Sequence, residues 1–470
     1  MSETTFWKCA CQQCGGHLAF PAEIAGTSIN CPHCGQPTTL PAPEPEPAPA
    51  APALTAEDIL AAFPGPVKPT PVSLLYQLAL LLVTVTMVLL PVLYVALVAL
   101  TAWGVWSYAT HFNDLLTATR GGARLYFWRL MLYFGPLFVG VVLVFFMIKP
   151  LFARRAPRAQ PLAVNPAAEP LLFGFIAKIC HTVGAPMPTR IDLDCNLNAA
   201  ASFRGGALSL LSNDLVLTIG LPLVAGLNLR EFAGVIAHEF GHFTQGLAMR
   251  LSYIIRSVSF WFARVVYERD AWDVWLEESA AETEDGRIAI IVGCARLGVW
   301  SSRQVLKVLM LTGLGVSCLL LRQMEYDADS YEVKVAGSEA FETTSRRIRV
   351  LAEVLGATYK DMRTKWNLNR RLPDNFPAYL LQHDASFPPN LREKIHDTMG
   401  LSQTGVFDTH SSDGDRIRRA RQAAEAGLFH LEHPATILFS NFDVAAKQVT
   451  CLHYTDDLGI QFTPGMLEAV

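Results

Sequence analysis

Between Lys68 and Asp114 the chain carries no Asp, Glu, Lys or Arg. Within that interval LLYQLALLLVTVTMVLLPVLYVALVAL, about residues 74–100, is long enough to cross a bilayer core of about 30 Å. A second uncharged run, Leu130 to Ile148, has 19 residues and also suffices, with Trp103, Trp106, Trp128 and Tyr133 placed as interfacial anchors. The pattern therefore predicts two transmembrane helices within residues 72–149. Further along, NLREFAGVIAHEFGHFTQG reads as a helix with a core-facing side formed by Phe232, Val235, Ile236, Phe240 and Phe243. Asn228 followed three residues later by Glu231 predicts a capping box at its start, and Gly246 supplies a stop.

The segments after this helix alternate in character. Residues 247–267 are apolar and aromatic but carry Arg250, Arg256 and Arg264. Residues 288–321 are apolar with Arg296, Arg303 and Lys307, and an acidic, helix-compatible stretch separates the two. A charge at mid-bilayer costs several kcal/mol on common scales. The arginines thus favour a membrane-associated helical hairpin over about 247–321 that is interfacial or partly embedded. Residues 338–400 read as polar helices, starting from the amphipathic SRRIRVLAEVLGATYK, and residues 426–470 form an extension with mixed helix and strand signals.

Composition agrees with a membrane setting: 51% of the residues are hydrophobic and only 17% charged. A net charge of -4 leaves no basic footprint for nucleic acid. Five of the ten cysteines lie near the start. Cys11-x-x-Cys14 and Cys31-x-x-Cys34, separated by 16 residues and each followed by glycine, have zinc-ribbon spacing, so residues 1–40 are expected to fold around one structural Zn(II). Four thiolates on zinc imply a reducing cytosol. The proline-alternating residues 41–71 read as an extended spacer. No cleavable signal peptide is recognised, so the first apolar run is expected to act as a signal anchor. Two crossings would return the chain to the ribbon's side, with Lys149, Arg154, Arg155 and Arg158 directly after the second run.

The chemistry concentrates in His238-Glu239-Phe240-Gly241-His242. Two histidines four apart on a helix lie roughly 6 Å apart along its axis and nearly in register around it, so both imidazoles can grip one metal. Glu239 then lies beside the metal, where the general base of a zinc peptidase is required. Zinc lowers the pKa of its water to about 7, and the carboxylate takes the proton as a peptide carbonyl is attacked. A third ligand is supplied by RQMEYDADSYEVKVAG, in which Glu325 completes a set of two histidines and one glutamate. Asp329, four residues on, is placed to fix the tautomer of a ligand histidine.

Several local features make residues 165–420 resemble the HtpX-like membrane zinc peptidases, a family that includes the CAAX prenyl proteases. They are Asn198-Ala199 before the active helix, Gly220-Leu221, the two zinc motifs, and His410 with Arg416-Ile417 six residues later. The prolines that follow the family's histidine are absent here. The resemblance implies two further membrane helices between the zinc motifs and a polarising or oxyanion-stabilising role for His410. It also implies addition of substrate backbone beside the strand at Asn198 and Ala199, an inner membrane of bacterial type, and misfolded membrane proteins as substrates.

The expected fold is mainly α with a small β-sheet: a zincin-like metallopeptidase domain over 165–425, transmembrane helices and an N-terminal zinc ribbon held by four cysteines. The expected activity is that of a membrane-anchored zinc metalloendopeptidase acting on proteins or peptides by a zinc-activated water, with ribbon and catalytic domain facing the cytoplasm. Two other classes compete with it. One is a catalytically inactive zincin-fold scaffold, against which Glu239 argues. The other is a protease that cuts within the bilayer, against which the polar Arg230, Glu231 and Gln245 around the active helix argue.

Overall fold

The computed structural model describes residues 6–21, 24–40, 54–71, 73–117, 122–152, 161–204, 214–244, 247–268, 274–275, 278, 286–405, 408 and 411–470. It divides into two compact units, Met1–Ala56 and Glu57–Val470.

The first unit is a pair of antiparallel hairpins, β1 (Phe6–Ala10) with β2 (His17–Pro21) and β3 (Ser28–Asn30) with β4 (Pro37–Thr39). Its buried cluster consists of Leu18, Phe20 and Leu40 with Cys11 and Cys31. An apolar core this small does not hold a fold by itself, and units of this size usually need a metal or disulfides.

The second unit is mainly helical. After the short α1 (Ala56–Ala61) comes α2 (Leu74–His111), then α3 (Asp114–Thr117) and α4 (Ala123–Ile148). Ser73 caps α2 by accepting a hydrogen bond from the Tyr76 amide. Polar side chains within these apolar helices are satisfied locally: Thr84 donates to the Leu80 carbonyl and Thr101 to that of Leu97. Tyr94 in α2 donates to the Met147 carbonyl of α4 at 2.8 Å, which fixes the two helices as neighbours. Their outer faces carry exposed Leu82, Trp103, Trp106 and Trp128. A surface of this kind suits lipid.

Two more long helices complete the apolar bundle, α8 (Leu247–Tyr267) and α9 (Gly286–Ala336). Leu80, Met87 and Tyr94 of α2 share one buried cluster with Ile255 and Phe262 of α8 and Leu306 and Leu321 of α9. Among the described residues, three helices are long and apolar enough to cross a membrane: α2, the run from Ala123 through α4 to Phe152, and the part of α9 from Ile290 onward. The third was not among the two spans the sequence pattern predicted, because Arg296, Arg303 and Lys307 interrupt its hydropathy. The 51 residues of α9 also carry Glu325 and Asp329, toward its C-terminal end, on the same unbroken helix.

The polar part of this unit builds on a four-stranded sheet of order β5-β6-β8-β7. Its strands are β5 (Leu162–Ala163), β6 (Arg190–Asp194), β7 (Ala199–Phe203) and β8 (Leu215–Gly220), with β6 parallel and β7 antiparallel to β8. α5 (Pro170–Val183) stacks its Phe175 on Phe232 of α7 (Leu229–Gly241), and α6 (Leu221–Gly226) joins β8 to α7. Gly220 is obligatory at the start of that link, since a Cβ there would lie 1.7 Å from the Asn196 carbonyl oxygen. The capping box of Asn228 and Glu231 is present in full. α7 stops at Gly241 rather than near Gly246, because the amides of Phe243 and Thr244 turn back to the carbonyls of Phe240 and Gly241 in tighter i to i+3 bonds. Four more helices, α10 (Ser338–Asn369), α11 (Phe376–Ala385), α12 (Pro389–Leu401) and α13 (Asp413–Ala423), follow α9, and α14 (Phe442–Leu452) lies in the extension.

Candidate active site

The ligands expected from the sequence meet where α7 lies against α9. Gly241 permits this approach: a Cβ at that position would stand 3.2 Å from the Ala328 Cα and 3.1 Å from the Tyr331 ring. The glycine inside the histidine motif therefore sets the spacing between the two ligand-bearing helices. At the crossing, His238 Nε2 is 3.6 Å from Glu325 Oε2 and His242 Nε2 is 3.9 Å from Glu325 Oε1. The two imidazole planes stand at 87° with centroids 5.0 Å apart.

These donors fit a metal. Zn–N and Zn–O bonds of about 2.0–2.2 Å in a tetrahedron put donor atoms about 3.3–3.6 Å apart, and the three ligand atoms here all lie within 4.8 Å of one another. Outer support is in place as well. His238 Nδ1 is 3.0 Å from Asp329 Oδ1 without a well-aligned hydrogen bond to it, so the carboxylate acts on that side of the ring by proximity and Nε2 is left to face the metal. Burial opposes protonation of His238, yet the Asp329 and Glu325 carboxylates hold it up at about 10. Burial and the His238 and Arg256 charges push His242 down to about 3. Glu325, Asp329 and Glu332 thus surround His238 with carboxylates that favour a cation at this point. A divalent cation satisfies the same demand.

Glu239 is partly buried, and its Oε2 accepts a hydrogen bond from the Ala201 amide at 3.4 Å. Burial and the nearby Glu325 push its carboxyl up from the usual range, against the pull of His238. Of the strand residues expected to meet substrate, Ala199 is buried and Asn198 is exposed, with the Asn198 carbonyl accepting from the Gly220 amide at 2.8 Å. Asn198 directly precedes β7 and Ala199 opens it; β7 is the last strand in the sheet order and passes beside Glu239. His410 lies outside the described residues.

Three further residues contribute that sequence reasoning did not assign. Arg416 of α13 holds Asp329 through two hydrogen bonds, and Arg256 of α8 donates to Glu325 Oε1 at 2.5 Å. Glu332, buried one turn beyond Asp329, brings Oε2 to 3.6 Å from His238 Nδ1. The available signal was physical: an arginine within an apolar helix, such as Arg256, requires a charged partner.

The four N-terminal cysteines form a second candidate metal centre. Their sulfurs all lie within 4.8 Å of one another, with Cys11 to Cys34 at 3.9 Å and Cys14 to Cys31 at 3.8 Å. A tetrahedral Zn–S bond of about 2.3 Å gives an S–S edge of about 3.8 Å. Gly15 and Gly35 adopt φ of 68° and 73°, and the amides of Gln13 and His33 point at the Cys11 and Cys31 sulfurs.

Comparison with known proteins agrees with this geometry. The model of peptidase family M48 matches residues 177–424, more than half of the 470-residue chain. Protease HtpX of Acinetobacter baylyi is 24% identical over 271 residues, covering 56% of this chain and 74% of that protein. No solved structure gives a match. With its apolar spanning helices and its candidate metal site built on the matched segment, the chain is a membrane metallopeptidase that belongs to peptidase family M48.

Proposed function

We propose that the protein is a zinc-dependent endopeptidase of membrane protein quality control. The observation that carries the reading is the convergence of His238 Nε2, His242 Nε2 and Glu325, with Glu239 beside them and Asp329 behind His238. His238, His242 and Glu325 would hold the catalytic zinc. When bound, that ion supplies Lewis acidity and lowers the pKa of a water molecule into the neutral range. Glu239 holds the proton taken from the attacking water and passes it to the departing amine. A carboxyl raised by burial is suited to carrying that proton between the two steps. Asp329, kept in place by Arg416, orients the His238 ring. The edge strand at Asn198 and Ala199 aligns the substrate backbone, and His410 is assigned to the charge that develops on the carbonyl oxygen.

The same reading fixes a topology. Thr70, just before α2, bonds through its amide to the Tyr331 hydroxyl and through its own hydroxyl to Ser330, so α2 starts beside the ligand-bearing end of α9. α2 leads away from the site and α4 returns. Because His242 and Glu325 meet at one point, the passage of α9 must be matched by another between them, and α8, about 32 Å long, is assigned to it on length, with the charge of its Arg256 met by Glu325. Catalytic residues and ribbon then face one side. The thiolates of Cys11, Cys14, Cys31 and Cys34, suited to a structural zinc in a reducing compartment, support the cytoplasm for that side.

Purified wild type and Glu239→Ala, assayed for zinc and for cleavage of an unfolded membrane protein, test the proposal. Equal zinc with cleavage confined to wild type is the expected result. Equal cleavage by both sinks the peptidase assignment, and metal binding without cleavage by either supports the scaffold reading.

A further inference from the structure

Beside the metal-ligand cluster, a cavity of about 410 Å³ opens between α8 and α9, with Met87 of α2 closing one wall. Its lining follows one face of each helix. On α8 this is Arg256, Phe260, Ala263 and Tyr267, at steps of four, three and four residues. On α9 the lining runs from Met310 through Leu314 and Leu321 to Glu325, which is about 22 Å of helix axis. The groove is therefore elongated, and it ends on Glu325, one of the three candidate ligands. Arg256 and Glu325, paired with each other, are its charged lining residues, and the remainder is apolar except for Ser259 and the Tyr267 hydroxyl. Phe260 and Tyr267 on the α8 wall are 69% and 65% exposed.

We propose that this groove is a specificity pocket that receives large apolar side chains of the substrate polypeptide next to the scissile bond. The inference rests on the peptidase reading above and names the substrate class for that site. Continuity carries it: a side chain within the groove reaches Glu325 without leaving apolar surroundings, so the bond adjoining it lies at the ligand cluster. The volume is that of roughly a dozen water-sized groups, more than one Phe or Leu side chain needs. It falls in the range of ligand clefts, about 300–1,000 Å³. Ala263 is the small residue that keeps the α8 wall open, since its neighbours along that face are Phe260 and Tyr267.

The test uses the full-length, zinc-loaded protein and an unstructured peptide library, with cleavage sites read by mass spectrometry. Wild type is expected to cut beside Phe, Leu and Met. Ala263→Trp, and in lesser degree Ala263→Leu, should lower the ratio of cleavage at bulky sites to cleavage at small ones by ~10-fold or more. Leu89→Trp, on an exposed face of α2 away from the groove, serves as the control and should leave that ratio unchanged. An active wild type with no preference for bulky apolar residues overturns the proposal. So does an identical ratio in wild type and both Ala263 variants, the outcome expected if the groove holds only bilayer lipid. Cleavage by Glu239→Ala at the wild-type rate, or none by the zinc-loaded wild type, would instead remove the peptidase reading itself.

Discussion

Arg416 grips Asp329 with both arms of its guanidinium, Nε at 2.9 Å from one carboxylate oxygen and Nη2 at 2.5 Å from the other. This bidentate pair spans α13 and α9, two helices far apart in the chain, and Asp329 in turn faces His238 Nδ1. A planar fork is needed for that geometry, which lysine cannot reproduce. Arg416→Ala is therefore expected to weaken zinc binding by about 10–100-fold, the usual cost of losing an outer partner of a ligand histidine. Arg416→Lys should recover only part of the loss. Competition with a chelator of known affinity measures both, and wild-type zinc affinity in Arg416→Ala would show that Asp329 is positioned without it.

The cysteine centre and the histidine centre belong to different compact units, so their metals should be lost independently. Cys14→Ser removes one of four sulfur ligands, and a structural site needs all four. Zinc content is expected to fall from about two ions per chain to about one. The remaining ion should sit at the histidine site, so a further His238→Ala change should take the content to zero. Retention of two ions by Cys14→Ser would contradict the assignment of the cysteine cluster as a metal site.

Much of the candidate site was legible because its determinants are local. The capping box of Asn228 and Glu231, the four-residue histidine spacing and the paired Cys-x-x-Cys motifs each sit within one turn or one knuckle, and the structure forms all of them. What escaped depends on contacts through space. Arg256 and Arg296 look alike in the sequence, as charges that spoil an apolar run, yet Arg256 is neutralised by Glu325, 69 residues away. The end of α7 at Gly241 was hidden for a related reason. Its last turn is closed by tighter bonds and by the approach of Ala328 and Tyr331, which propensity does not encode.

If α8 and α9 form the descending and returning arms of a membrane hairpin, the segment joining them lies on the side opposite the catalytic residues. Glu278 belongs to that segment and is exposed, whereas Glu425 follows α13 on the catalytic side. With cysteine at each position in turn, a membrane-impermeant maleimide added to intact spheroplasts should label position 278. Position 425 should react only after permeabilisation. Protection of both positions would place α8 on the membrane surface and require a different account of how His242 and Glu325 reach one metal.

Glu325 Oε1 is contested. Arg256 Nη2 lies 2.5 Å from it, and His242 Nε2, its partner in the candidate metal site, lies 3.9 Å away. A zinc ion held by His238, His242 and Glu325 must draw on a carboxylate that the guanidinium already neutralises, so the arginine competes with the metal while stabilising the metal-free protein. Arg256→Gln keeps a polar side chain of similar reach and removes the charge. Zinc affinity is expected to rise severalfold, and the melting temperature of the metal-free protein to fall. Because the Arg256 side chain is 41% exposed, solvent screening limits that loss to about 1 kcal/mol. The two effects have opposite signs and are read separately, by chelator competition and by thermal unfolding after metal removal. Weaker zinc binding in Arg256→Gln would mean that the guanidinium holds Glu325 in its ligand position and does not compete for it.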